Sequence, residues 1–205
     1  MTRAAALRAR GDRGQAFPIY VTAVAGLLFL ALAFFAVGQA GANKNGAQTA
    51  ADAAALAAAQ SYRDQLRTGL LTALGAGTGW ADWLDGRTGD PEAACGEAGT
   101  YARSNGAEVV GGCGTSAPGT LPVAFTVTVR SSAAVGRSVV PGTEDVHATA
   151  TARAVVEPRC AGRSPESRKP PLDIVCDGRV VTIDPTRPDD LARALGALFS
   201  VRLAD

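Results

Sequence analysis

Few residues in this chain could carry chemistry, and they are scattered. There is one histidine, His147, within "VHATATARAVVEP". The alternation there turns Val146, Ala148, Ala150, Ala152 and Ala154 inward and leaves His147, Thr149, Thr151 and Arg153 outside. That makes His147 a surface residue, not a base beside a nucleophile, and no nucleophile-elbow motif accompanies it. Cys95, Cys113, Cys160 and Cys176 lack the short C-x-x-C spacing of a zinc site. An even count reads instead as two disulfides, which leaves no free thiol for Cys-His chemistry. Four cysteines allow three pairings. Sequence neighbours are the simplest, Cys95–Cys113 and Cys160–Cys176, each closing a short loop and each stabilising by roughly 3 kcal/mol. Asp173, Asp177 and Asp184 are too dispersed for a calcium loop. Gly75, Gly77 and Gly79 resemble a phosphate loop only by count, since no Gly-Lys-Ser/Thr follows. A net charge of +1 offers nothing for nucleic acid to bind. The expectation is a non-enzymatic chain with no cofactor, no metal, no nucleic acid and no small-molecule substrate.

What remains to be explained is the long stretch that opens the chain. From Ala16 to Gly38 no residue is charged. A helix of about 23 residues spans roughly 34 Å, enough for a hydrocarbon core of about 30 Å. Helix is required in lipid because unpaired backbone groups there are costly. Pro18 sits in the first turn, where its missing N–H does little harm. A small-x-small site occurs near Val37 to Gly41, but the apolar run is longer than that of a cleaved signal. A retained span is therefore expected. Arg3, Arg8, Arg10 and Arg13 precede it, and after Lys44 no basic residue follows until Arg63. The positive-inside rule then places the N-terminus in the cytoplasm and everything after about Gly41 outside, in contact with membrane lipid only through the span.

Beyond the span, glycines at 38, 41 and 46 weaken the helix, and a kink is possible there. "AQTAADAAALAAAQSYRDQLRTGLLTAL" then resumes it. A stripe at steps of three and four runs through Ala47, Ala51, Ala55, Ala58, Tyr62, Leu66, Leu70 and Leu74. The outer half, Tyr62 to Leu74, suits a core. The small half, Ala47 to Ala58 with Asp52 beside it, suits docking of another helix, although Asp52 alone reads as a solvated residue. A short helix from Pro91 to about Ser104 is stopped by Asn105-Gly106. Glu108–Val110, "LPVAFTVTVR" and the His147 stretch read as strands. "RCAGRSPESRKPPLD" reads as an exposed loop, and "DIVCDGRVVTID" as a hairpin about Asp177-Gly178. "RPDDLARALGALFSVRLAD" reads as a helix, with Asp189 and Asp190 at its start and Leu191, Leu195, Leu198 and Leu203 at helical spacing. The fold expected is α+β: a transmembrane helix continuing into a long helix packed on a small antiparallel sheet, with a C-terminal hairpin and helix.

The arm "RGDRGQA", the span and "QTAADAAALAAAQ" together resemble the N-terminal region of TadE/TadG-like proteins of Flp-type (tight-adherence) pilus assembly. The downstream order of cysteine, helix, Asn-Gly and strands is similar to the high-GC Gram-positive type. The resemblance implies a pilin-like fold and a membrane-anchored, pseudopilin-like component of a pilus assembly or secretion machine. Its partners would be other pilus-assembly membrane proteins or pilin-like subunits. The alternative is a stand-alone surface binding or adhesion module with one anchor. Gly14 stands where a prepilin signal has its glycine, but the fifth residue after it is Ile19 rather than Glu. An uncleaved assembly factor is thus favoured over a processed subunit. The organisation expected is a cytoplasmic arm (1–15), a span (16–38), an extracellular pilin-like domain (39–157) and a C-terminal extension (158–205).

Overall fold

The computed structural model describes residues 16–134, 142, 144–162, 171–184, 186–187 and 194–204. One helix dominates it. α1 runs unbroken from Ala16 to Ala76, 61 residues, straight through the three glycines where a kink was possible. Nothing lies within reach of Gly38, Gly41 or Gly46, so no packing forces a bend there. Gly77, in the left-handed region at φ 74°, ends the helix. A turn then leads to α2 (Trp80–Leu84) and α3 (Pro91–Ser104). Asp90 caps α3, its carboxylate accepting from the N–H groups of Glu92 and Ala93 at 3.0 Å each. Asn105 and Gly106 close α3, as the sequence suggests.

Three antiparallel strands follow: β1 (Ala107–Ser116), β2 (Val123–Ala134) and β3 (His147–Pro158). β1 is longer than the three residues expected. Its register breaks between Val109 and Cys113 around Gly111 and Gly112, both at positive φ, and pairing resumes beyond this bulge. On β3, Ala152 and Ala154 are buried, Thr149, Thr151 and Arg153 are exposed, and Val146 is exposed rather than inward because the strand begins only at His147.

The C-terminal segment is not the continuous helix expected from its leucine spacing. Only residues 194–198 of the expected helix are helical among those described, and Asp189, Asp190 and Leu191 lie outside the described residues. Phe199–Ala204 forms β7, which pairs antiparallel with β3 and completes a four-stranded sheet in the order β1-β2-β3-β7. The physical reason is visible in "FSVRLA": it alternates, and β3 would otherwise leave an unpaired edge. Between these parts β4 (Cys160–Gly162), β5 (Leu172–Cys176) and β6 (Arg179–Ile183) form a second, three-stranded sheet. Its hairpin turns at Asp177 and Gly178, both at positive φ, as a two-residue loop requires. The loop expected over 159–173 is only partly one: Cys160–Gly162 and the start of β5 at Leu172 pair as strands instead, and 163–170 lie outside the described residues.

The core lies between α1 and the inner face of the first sheet. Tyr62, Leu66, Leu70 and Leu74 meet Val123, Phe125, Val127 and Val129, while α3 adds Ala94, Ala98 and Ala102. Alanines on both α1 and β3 let helix and sheet approach closely, so small side chains fill this part of the core. Ile174, Ile183, Leu195 and Leu198 bury the second sheet against the same cluster.

Candidate membrane anchor and assembly surfaces

α1 has two halves of opposite character. From Phe17, 78% exposed, to Val37, 72% exposed, its large apolar side chains face outward on every side. An 18-residue window of this part reaches a mean hydropathy of 2.4 with none of it buried inside the protein. Its 21 residues extend about 32 Å, which matches a bilayer's hydrocarbon thickness. The hydroxyl of Thr22, a polar group within it, donates to the carbonyl oxygens of Pro18 and Ile19 at 2.9 Å, so it needs no water. By length and composition this half is suited to cross a membrane. Residues 38–46 then form a bare stalk of about 13 Å, and burial begins at Ala47.

The face expected to dock a second helix is not available. Ala47, Ala51, Ala55 and Ala58 are at most 1% exposed, covered by the protein's own structure. Their small size serves the intramolecular approach of α1 to its neighbours, and the docking expectation for these four gives way to a core role. Asp52 sits at the rim, half-buried, its carboxylate accepting from the Gln48 amide at 2.8 Å.

Both cysteine pairs are bonded as sequence neighbours, Cys95 to Cys113 and Cys160 to Cys176. The first ties α3 to β1 just past the bulge, and the second joins directly paired residues of β4 and β5. His147 is half-buried, its Nδ1 at 2.7 Å from the Ser131 carbonyl oxygen. Arg3, Arg8, Arg10, Arg13 and Gly14 lie outside the described residues.

Sequence reasoning missed the lock between α1 and the turn before α3. The buried Tyr62 hydroxyl donates to the Gly86 carbonyl oxygen at 2.8 Å, and its ring lies 5.5 Å from that of Phe125. Burial pushes the phenol's pKa up. The Gln65 side-chain oxygen accepts from the Asp90 N–H at 2.9 Å. Gly89 passes so close that an added Cβ would stand 2.4 Å from the Tyr62 ring. The glycines of "DGRTGDP" were the available signal, but a glycine in a turn does not reveal which side chain it makes room for.

Residues 14–61 match the family model for Flp pilus-assembly TadE/G-like proteins. The chain carries a TadE/G-like segment. That segment takes in the exposed apolar half of α1, the stalk and the alanine-rich part of the core helix, and it stops one residue short of Tyr62. No curated protein and no solved structure matches the chain.

Proposed function

We propose that this protein is a membrane-anchored, pseudopilin-like, non-catalytic component of a Flp/Tad pilus assembly or secretion machine. The observation that carries the reading is α1 itself, one helix whose first part is exposed and apolar and whose last thirty or so residues bury one face in the core. The TadE/G-like match lies on that helix. In this reading residues 1–15 are a cytoplasmic arm, 16–38 cross the membrane, and the remainder stands outside. The arginines at 3, 8, 10 and 13 set the orientation. Two disulfides suit an oxidising exterior. The sole histidine is engaged with a backbone carbonyl and every cysteine is bonded, which supports a structural rather than a catalytic role. The proposed partners are other membrane proteins and pilin-like subunits of the machine.

Protease added to cells stripped of their wall tests the topology. The expected outcome is loss of the mass beyond about Gly41, with a membrane-protected N-terminal fragment retained. A fully protected C-terminal domain would contradict the orientation.

A further inference from the structure

The outer faces of the two layers carry opposite charge. On the sheet, β2 reads Thr126-x-Thr128-x-Arg130 and β3 reads Thr149-x-Thr151-x-Arg153. The register sets Thr126 opposite Arg153, Thr128 opposite Thr151 and Arg130 opposite Thr149. The strands therefore present the same groups in opposite directions about the Thr128–Thr151 hydrogen bond of 2.8 Å. Arg130 and Arg153 occupy opposite corners of the patch, their backbone positions about 14 Å apart by strand geometry. Both are exposed, and neither makes an ion pair or hydrogen bond among the described residues. Glu108 stands opposite Arg130 on β1 without pairing with it, and Asp52 borders the cleft beside Arg153.

The other side of the domain is acidic. A groove of about 730 Å³ runs between α1, α2 and α3, lined by Asp64, Asp90, Glu97, Trp83 and Tyr101, with no cation in its lining. Asp64 is paired with Arg63 and Arg67, and Asp90 caps α3. The carboxylate of Glu97, like that of Glu92 at the start of the same helix, makes no ion pair or hydrogen bond among the described residues.

We propose that copies of this chain associate head to tail within the membrane plane, the sheet face of one against the helix layer of the next, with Arg130 and Arg153 meeting Glu92, Glu97 and the groove. A two-fold pairing about the membrane normal would set sheet on sheet or helix on helix and oppose like charges. The heterologous contact opposes unlike ones, and it does not close on itself. Both faces flank α1, so a sideways step keeps neighbouring apolar segments parallel. The sheet patch is two strands wide and about 14 Å long, small for a stable interface in solution. Confinement to one membrane raises the effective concentration, so a weak contact suffices. The inference rests on the membrane anchoring proposed above.

The test uses full-length donor- and acceptor-labelled copies in phosphatidylcholine vesicles, with insertion first checked by flotation. The expected result is energy transfer above random mixing that falls as salt is raised. The double variant R130E/R153E and the double variant E92R/E97R should each fall to the random level alone, since each makes both faces alike in charge. Mixed together, the two variants should recover transfer, because each then meets an opposite face. This recovery separates charge complementarity from damage to the fold. Floated wild-type copies without excess transfer, transfer indifferent to the swaps, or a mixture that stays at the random level would each overturn the inference while leaving the anchor intact. Failure to float would overturn the anchor reading and this inference with it.

Discussion

Tyr62 shows how one side chain holds three elements in register. Its ring packs on β2, its hydroxyl satisfies a carbonyl in the turn after α2, and Gly89 wraps over it. Tyr62→Phe removes the donor and leaves the Gly86 carbonyl buried without it, at a cost of about 1–2 kcal/mol. Gly89→Ala drives a methyl into a ring that cannot move aside, and overpacking of this kind costs about 1–3 kcal/mol. Both variants should melt lower in detergent than the parent protein. Unchanged melting for both would show that Tyr62 does not lock these elements together. Glu157 gives a pH-dependent case. Hydrogen bonds from Arg202, at 2.7 and 3.2 Å, and its positive charge hold the Glu157 carboxyl below the usual range. A depressed folded-state pKa means that the stabilisation is complete above the unfolded value and is lost as pH falls through the folded value. The pair is exposed, so its worth is under about 1 kcal/mol. It bridges β3 and β7, and β7 should therefore loosen as the pH falls below the usual glutamate range. Hydrogen exchange compared between pH 3 and pH 5, with global exchange rates corrected for, should show extra opening of Phe199–Ala204. Glu157→Gln should show no such difference. An equal difference in the variant would exclude Glu157 as its origin.

At the scale of elements, the alanine stripe on α1 is the point where composition and placement had to be separated. Ala55 lies against the protein's own core, so Ala55→Leu should cost about 1–3 kcal/mol and lower the melting temperature. A variant that melts like the parent would return the stripe to the surface. The stripe's periodicity was legible, but its partner was not, because alanine admits a helix or a sheet equally well. β2, β3 and the Asp177-Gly178 hairpin could be read from alternation and turn chemistry alone. β1 was read too short because two glycines interrupt its pattern and the bulge they form is settled by the neighbouring strand. β7 was misread because Leu191, Leu195, Leu198 and Leu203 fit a helical period. What makes Phe199–Ala204 a strand is the free edge of β3, some 45 residues away along the chain, as the spacing of Glu157 and Arg202 records. Long-range edge pairing leaves no local trace. The same limit hid the Tyr62 lock.

At the scale of the whole molecule, the charge pattern and the hydropathy pattern run along different directions. Hydropathy changes along α1, from the exposed apolar end to the buried one. Charge changes across the domain, from the threonine-arginine sheet face to the acidic helix layer. The first was plain in the sequence because it is contiguous. The second was not, since Arg130 and Arg153 come together only through the β2–β3 register. The unbroken course of α1 has a mechanical consequence. Among the described residues no turn or break separates the apolar half from the core half. A pull on the membrane end along the helix axis loads the core in shear, against Tyr62 with its buried hydrogen bond and against every leucine below it at once. The anchor then behaves less like a tether than like a shaft fixed into its housing: tilt or axial displacement at one end is delivered to the folded end, with little slack to absorb it.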